Sequence, residues 1–438
     1  MHCVDPSVAR TSLATRTSLC LILVSHLGLS VLYNWIIPLG YGPDEPRHEK
    51  YYAYMALHHE LPPDEASTQA IAHHPPLYYA LCVPLYHALR HVPEELRRHA
   101  LRFFSTLLGA GVLLLVWCMA IRFVPAEPHV ALAAVACVAW LPHFQLISSV
   151  INNDILLAAL STWVLLVSVS VASRGTSPLR AALLGGTVGL ACLTKNTGIL
   201  LLIPALTGVA LGAWWSHAQD GEQHQDATSS RISPYETFLR NALAALFAWF
   251  ALSGWWILQY IGKYGRLDSD PPWPLWAWPD PSLAARSLRA IGGLFRSTWS
   301  QVGWLPSRTE PIVYGLLLLI LVMSLGGLML RFRECFSETG NSWSQRNGIL
   351  VLGLACIVTY GALIHSAIFV NPGRFEGGRY ALMVVGATGT LLAVGLGGLP
   401  VRLWRNLALI CILVLLLVCN ALSIYNLVSY LNPLYGPK

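Results

Sequence analysis

Eleven apolar runs divide the chain, near residues 18–40, 100–122, 129–150, 154–173, 180–194, 197–215, 239–258, 311–330, 348–370, 380–400 and 407–428. Most are about 20 residues long, which at ~1.5 Å of rise per residue crosses a hydrocarbon core about 30 Å thick. Barrel strands alternate in polarity and last only about 10 residues, which excludes an outer-membrane barrel. The expected fold is therefore an all-α polytopic membrane protein with about 11 transmembrane helices. With 55% hydrophobic and 11% charged residues, the chain has too few ionisable groups to cover a soluble globule, where about 25% is usual.

An odd number of spans puts the termini on opposite sides of the membrane. The tight, arginine-bearing connections run from Arg122 to Pro128, Arg174 to Arg180, Arg331 to Arg333 and Arg402 to Arg405, and all fall on one side. The positive-inside rule makes that side cytoplasmic, together with the N-terminus. The runs 180–194 and 197–215 also read as one broken helix. The first run follows Arg10 and Arg16 and shows no small-residue cleavage site before Tyr41, so it reads as a retained span. A net charge of +6 distributed in this way gives no ground for a nucleic-acid partner. The ten cysteines form no disulfide framework, since most sit inside spans and only Cys82 lies near the outer face. The chain lacks an Asn-x-Ser/Thr sequon, which fits a bacterial inner membrane.

The sequence reads as one membrane domain, 1–438, with its polar residues gathered in two outer segments, 41–99 and 259–309. A Gln/Asp/Ser/His-rich stretch at 216–238 reads as a flexible cytoplasmic linker. No internal repeat of the kind that marks many transporters is present. The second outer segment, with Trp273, Trp276, Trp278, Trp299 and Trp304 among its prolines and arginines, reads as a lid of short helices whose rings anchor at headgroups or stack on sugars.

The first outer segment holds eight of the fifteen histidines and eight acids. Asp44 and Glu45 follow a Gly-Pro turn at the end of the first span, where a partly desolvated carboxylate can have a raised pKa and act as a general base, or can simply cap the next helix. That helix begins near Pro46 and carries His48, with Tyr51, Tyr54 and Met55 on one side. His73-His74-Pro75-Pro76-Leu77-Tyr78-Tyr79 is a stiff corner, and its imidazoles suit a phosphate when protonated, a metal when neutral, or plain interfacial anchoring. Asn152-Asn153-Asp154 leaves almost no loop between two spans, so Asp154 sits at a helix N-terminus, as a cap or as a second carboxylate facing the same cavity. Lys195, one of four lysines against twenty-four arginines, interrupts apolar sequence and reads as a lipid-phosphate contact or as a snorkelling side chain. Arg374, Glu376, Arg379 and Tyr380 lie in a Gly-rich turn before a late span, where guanidinium forks suit phosphate oxygens.

Taken together and in order, these motifs resemble the GT-C superfamily of polytopic glycosyltransferases, and among them bacterial members similar to protein O-mannosyltransferases and lipid A aminoarabinose transferases. The resemblance implies transfer of a sugar from a polyprenyl-phosphate carrier to a glycan, lipid or protein acceptor at the outer face of the membrane, in the cell envelope. It makes Asp44 the catalytic base with Glu45 beside it. It matches Lys195, Arg374 and Arg379 to the donor phosphate and Asp154 to the second acidic position. His48, Tyr51, His73, His74, Tyr78, Asn153, Glu376 and Tyr380 complete the expected substrate-binding set. No counterpart of the family's large C-terminal soluble domain is expected, and the first loop is richer in histidine than the family pattern. No cofactor is required, because the cations can stabilise the departing phosphate; a divalent-cation version would use Asp44, Asp154 and His48 or His74. A transporter or flippase of lipid-linked sugars is the competing reading and would need no base.

Overall fold

The computed structural model describes residues 12–223, 233–265, 282–299, 311–336, 342–371 and 377–435. Among them are sixteen α-helices. In chain order they are α1 (Leu13–Ile36), α2 (Glu45–His58), α3 (Glu65–Thr68), α4 (Leu77–Ala88), α5 (Glu94–Phe123), α6 (Pro128–Ala139), α7 (Pro142–Ile147) and α8 (Asp154–Arg174). The series continues with α9 (Pro178–Cys192), α10 (Leu202–Gln223), α11 (Pro234–Tyr264), α12 (Leu283–Trp299), α13 (Pro311–Glu334), α14 (Ser342–Phe369), α15 (Val385–Gly397) and α16 (Arg402–Tyr435). Short 3-10 turns, Asn196–Leu201 and Gly378–Val384, lead into α10 and α15. The protein is an all-α polytopic membrane fold.

Nine helical segments among the described residues are long and apolar enough to cross a membrane. The other two runs of the expected eleven are shorter helices. The run at 129–150 breaks at Trp140-Leu141, because Pro142 cannot continue the hydrogen-bond ladder of α6 and instead starts α7. The run at 180–194 is α9, which ends at a turn where Gly198 folds back against Ala191 and Cys192; it is separate from α10, and the two do not form one broken helix. The stretch 216–238 is less of a linker than its polarity suggests. α10 continues to Gln223, and α11 starts at a capping box in which Ser233 and Glu236 satisfy each other's backbone N–H groups.

The bundle is layered by burial. In the most apolar window of the span ending in α15, 83% of residues are buried, and in that of α8 72%, whereas α1 and α13 reach only 28%. α8 and α15 are thus the inner helices, and α8 touches α5, α9, α10 and α14. Leu21, Phe247, Met329 and Ile357 point outward, which is stable only where the solvent is itself hydrocarbon. Between helices there is no hydrophobic driving force in lipid, so close packing of small residues takes over. Gly185 of α9 lies so near α11 that a Cβ there would meet the Ala245 carbonyl oxygen at 1.9 Å.

The two ends of the bundle differ in chemistry. At one end Glu127 accepts from Arg331 at 2.7 Å and from Arg405 at 3.5 Å, joining three of the connections. At the other end α2, α3 and α4 lie over the bundle as the short helices expected of the first outer segment. Of the second outer segment the structure describes 259–265, at the end of α11, and α12, which packs on α14, α7 and the Gly378 turn. His143 donates to Ser297 O at 2.7 Å, and Gly378 N donates to Ser297 Oγ at 3.0 Å, so α12 braces the start of the α15 span. Trp299 is buried in this packing and does not face headgroups, while Trp273, Trp276, Trp278 and Trp304 lie outside the described residues.

Candidate active site

A polar cavity of about 410 Å³ opens at the end of the bundle that carries the outer segments. Its wall is assembled from distant parts of the chain: Asp44, Arg47 and His48, the His73–Pro75 corner, Asn152 to Asp154, Lys195 to Thr197, Tyr260, Leu363, and Arg379 with Tyr380. Local geometry explains the convergence. The stiff Pro75-Pro76 corner is docked by Leu77 N, which donates to Leu193 O at 2.9 Å and so sets the corner against the Lys195 turn. Asn152 Nδ2 donates to Pro43 O at 3.1 Å and ties the start of α8 to the Asp44 turn.

Asp44 does not cap α2 with its side chain. Its backbone is left-handed (φ 56°), its carbonyl takes the helical N–H groups of Arg47 and His48, and its Oδ2 accepts from Arg379 Nη2 at 2.8 Å. Burial pushes the carboxyl upward, but the Arg379 charge and hydrogen bond, helped by Arg47, outweigh it and hold Asp44 below its ordinary pKa. The expectation of a raised value is thereby corrected: Asp44 is an ionised carboxylate already in an ion pair.

Glu45 has a different task. It is fully buried and takes Arg102 in a two-pronged pair, Nε to Oε1 at 2.7 Å and Nη2 to Oε2 at 2.6 Å. The same carboxylate accepts from the backbone N–H groups of Gly40, Gly42 and Ile151. It is held ionised by these bonds against the upward push of burial, behind the cavity surface. Arg102 also donates to the carbonyls of Asn34 and Ile37 at the end of α1 and to that of Pro38 just beyond it.

Lys195 does not snorkel. It is 8% exposed, forms an ion pair with Asp154 Oδ1, and its Nζ stands 4.5 Å from the centre of the Tyr380 ring. Arg379 also lies against Tyr380, 4.9 Å from the ring centre, and donates to its hydroxyl at 3.0 Å. Asp154 occupies the first turn of α8, and the side chain of Asn152, not its own, accepts from its N–H at 2.7 Å. The capping role expected of Asp154 is thus taken by its neighbour.

His48 and His74 are neutral. Burial drives His48 down to about 3 against the pull of Asp44 and Asp154, and drives His74 well below its usual value, aided by neighbouring positive groups. Both turn Nδ1 toward the Tyr79 hydroxyl, at 2.7 and 3.2 Å. Binding phosphate as imidazolium is therefore not their role, and Lys195, Arg379 and Arg47 supply the positive charge. His73 sits on the cavity wall paired with Glu65. Among the described residues no group of three or more His, Cys, Asp or Glu is arranged to hold a metal ion.

Of the residues singled out in the sequence, Asp44, His48, His73, His74, Asn153, Asp154, Lys195, Arg379 and Tyr380 meet around the cavity. Tyr51 and Tyr78 stand behind it. The Tyr51 hydroxyl donates to His74 O at 3.0 Å with its ring stacked on Tyr79, and the Tyr78 hydroxyl bonds Ser105 and accepts from Asn152 N. Arg374 and Glu376 lie outside the described residues. Sequence reasoning passed over Arg47, Arg102 and Tyr260, although an arginine inside the apolar run 100–122 was itself a signal.

These features define a polytopic membrane bundle with an acid-and-cation cavity at one end. A family model described as dolichyl-phosphate-mannose-protein mannosyltransferase matches residues 73–221, a stretch that contains Asn153, Asp154 and Lys195. The Archaeoglobus fulgidus oligosaccharyltransferase AglB, in a complex with an inhibitory peptide and a dolichol-phosphate, is similar in fold with a TM-score of 0.54 at 14% identity, over 95% of this chain and 56% of that one. ArnT from Cupriavidus metallidurans, bound to undecaprenyl phosphate, gives a TM-score of 0.50 at 16% identity, over 88% of this chain and 61% of that one. The chain thus spans little more than half the length of these structures. No curated protein matches it in sequence. The chain shares its fold with these two structures, in line with the GT-C resemblance that the order of motifs carries.

Proposed function

We propose that the chain is a membrane glycosyltransferase that moves a sugar from a polyprenyl-phosphate donor to an acceptor hydroxyl at the extracytoplasmic face, with inversion at the anomeric carbon. The observation that carries this reading is the pairing, in one cavity, of the Asp44 carboxylate with the cations Arg379 and Lys195. Asp44 takes the proton of the acceptor hydroxyl as its oxygen bonds the anomeric carbon. The bond from that carbon to the phosphate oxygen breaks, and the lipid phosphate leaves with the electron pair. Arg379 and Lys195 meet the charge that develops on it. As Arg379 turns to the phosphate it releases Asp44, which becomes a stronger base when it is needed. The lipid phosphates in the ArnT and AglB complexes support a donor of this class.

The test is sugar transfer from radiolabelled polyprenyl-phosphate sugars by the full chain in membranes, with membrane extract as the acceptor source and with or without chelator. Asp44→Asn keeps size and tolerates the left-handed backbone, and turnover is expected to fall by about 100-fold or more. Turnover that survives in this variant, or binding of the lipid-linked sugars without any transfer, refutes the reading and favours a transporter.

A further inference from the structure

Two hydrogen-bond acceptors stand unfilled in the cavity wall, on neighbouring residues. Asn153 is fully buried and Asp154 is 3% exposed. Asn153 Oδ1 and Asp154 Oδ2 have no protein partner, and among the described residues no other side chain of this cavity wall has a buried polar atom in that state. The orientation of both groups is fixed. Asn153 Nδ2 donates to Thr194 O at 2.8 Å and lies 3.2 Å from His74 Nδ1, so turning the amide over would set oxygen against oxygen. Lys195 holds Asp154 Oδ1, which leaves Oδ2 as the free arm. Buried acceptors without a donor are costly, and this pair is built to be filled by a ligand.

We infer that Asn153 Oδ1 and Asp154 Oδ2 seat hydroxyl groups of the transferred sugar and make the enzyme selective for a sugar without a carboxylate, hydroxylated on the edge that faces α8. This rests on the transferase reading. The seat belongs to the donor sugar because Lys195, on the same carboxylate, stands against Tyr380 and Arg379, where the phosphate binds, and the sugar is the group attached to that phosphate. A hard cation is a poor occupant, since it would lie beside the Lys195 ammonium with two protein oxygens where about six are wanted. A uronic acid would set its carboxylate against that of Asp154.

The test measures displacement of radiolabelled undecaprenyl phosphate from the full chain in membranes. The competitors are farnesyl-phosphate mannose, glucose and arabinose, the monodeoxy counterparts of each, and the mannuronate analogue. The tightest parent sugar is expected to lose about 10- to 100-fold in affinity on removal of one or two particular hydroxyls, and the uronate is expected to bind no better than those. In Asp154→Asn and Asn153→Ala those penalties shrink to about threefold, while the penalties at other positions stay as in the wild type. A uniform loss across the panel in both variants marks a purely structural role and overturns the seat. So does a wild-type protein that binds every monodeoxy sugar as well as its parent, a result that needs no variant to fold. Discrimination abolished by chelator assigns the acceptors to a cation and overturns the seat as well. If no glycoside binds better than bare farnesyl phosphate, the transferase reading falls and takes the seat with it; glycoside binding with a flat deoxy panel removes the seat alone.

Discussion

Asp44 combines a left-handed backbone at a residue other than glycine with a carboxylate drawn partly out of water. Such strain costs about 1–3 kcal/mol and persists only where surrounding contacts fix it. Here they are the Arg379 pair at 2.8 Å and the two helical N–H groups on its carbonyl. The folded-state pKa lies below the unfolded one, so the ionised form is retained at and above the ordinary carboxylate range and is lost only as pH falls through the depressed value. The acid limb of kcat/KM is therefore expected below ~3.9, the ordinary aspartate value. In Arg379→Met the upward push of burial is left unopposed by its main counterweight, and the limb should move to higher pH in the residual activity. A profile that does not move with this substitution would show that Arg379 leaves the ionisation of Asp44 untouched. The residues of this site were legible in sequence because acids, lysine and Gly-Arg are rare beside apolar runs. Their partners were not, since Arg379 and Asp44 are 335 residues apart and only folding brings them together.

Elements are held in place by a few buried polar hubs, and the strongest of these joins the site to the bundle. Arg102 of α5 grips Glu45 at the start of α2 and the open carbonyls at the end of α1, with both charged side chains fully buried. Removing one partner strands the other charge in a low-dielectric interior, and Arg102→Met is expected to cost about 3–5 kcal/mol. Replacing both, as Arg102→Met with Glu45→Gln, should cost less than the sum of the two single changes, because no charge is then left alone. Thermal unfolding of the three variants in detergent checks this, and strict additivity would mean that the two groups are not energetically linked. The helices themselves were readable from the apolar runs, each of which corresponds to a helical passage. The break at Pro142 and the closeness of Gly185 to Ala245 were not, because a run of apolar residues records burial in lipid and not the path of the backbone within it.

At the scale of the whole molecule the two ends of the bundle carry opposite chemistry. The starts of α2 and α8, the His73–Pro75 corner, the Lys195 turn before α10, Tyr260 of α11, Leu363 of α14 and the start of the α15 span supply the cavity. The Arg331–Glu127–Arg405 cluster joins connections at the far end. Short arginine-bearing connections gather at the far end, and positive charge is retained on the cytoplasmic side during insertion. On the transferase reading proposed above, the cavity faces away from the cytoplasm and the donor's phosphate lies near the outer headgroups, where a lipid-anchored substrate reaches it by lateral diffusion without leaving the bilayer. Single cysteines decide the orientation. Ser67 in α3 and Arg180 in α9 are exposed at opposite ends. Ser67→Cys is expected to react with a membrane-impermeant maleimide in intact cells, and Arg180→Cys only after permeabilisation. The reverse pattern would place the cavity on the cytoplasmic side, where the same acid and cations would face a different pool of acceptors, and the extracytoplasmic transfer proposed here would have to be abandoned.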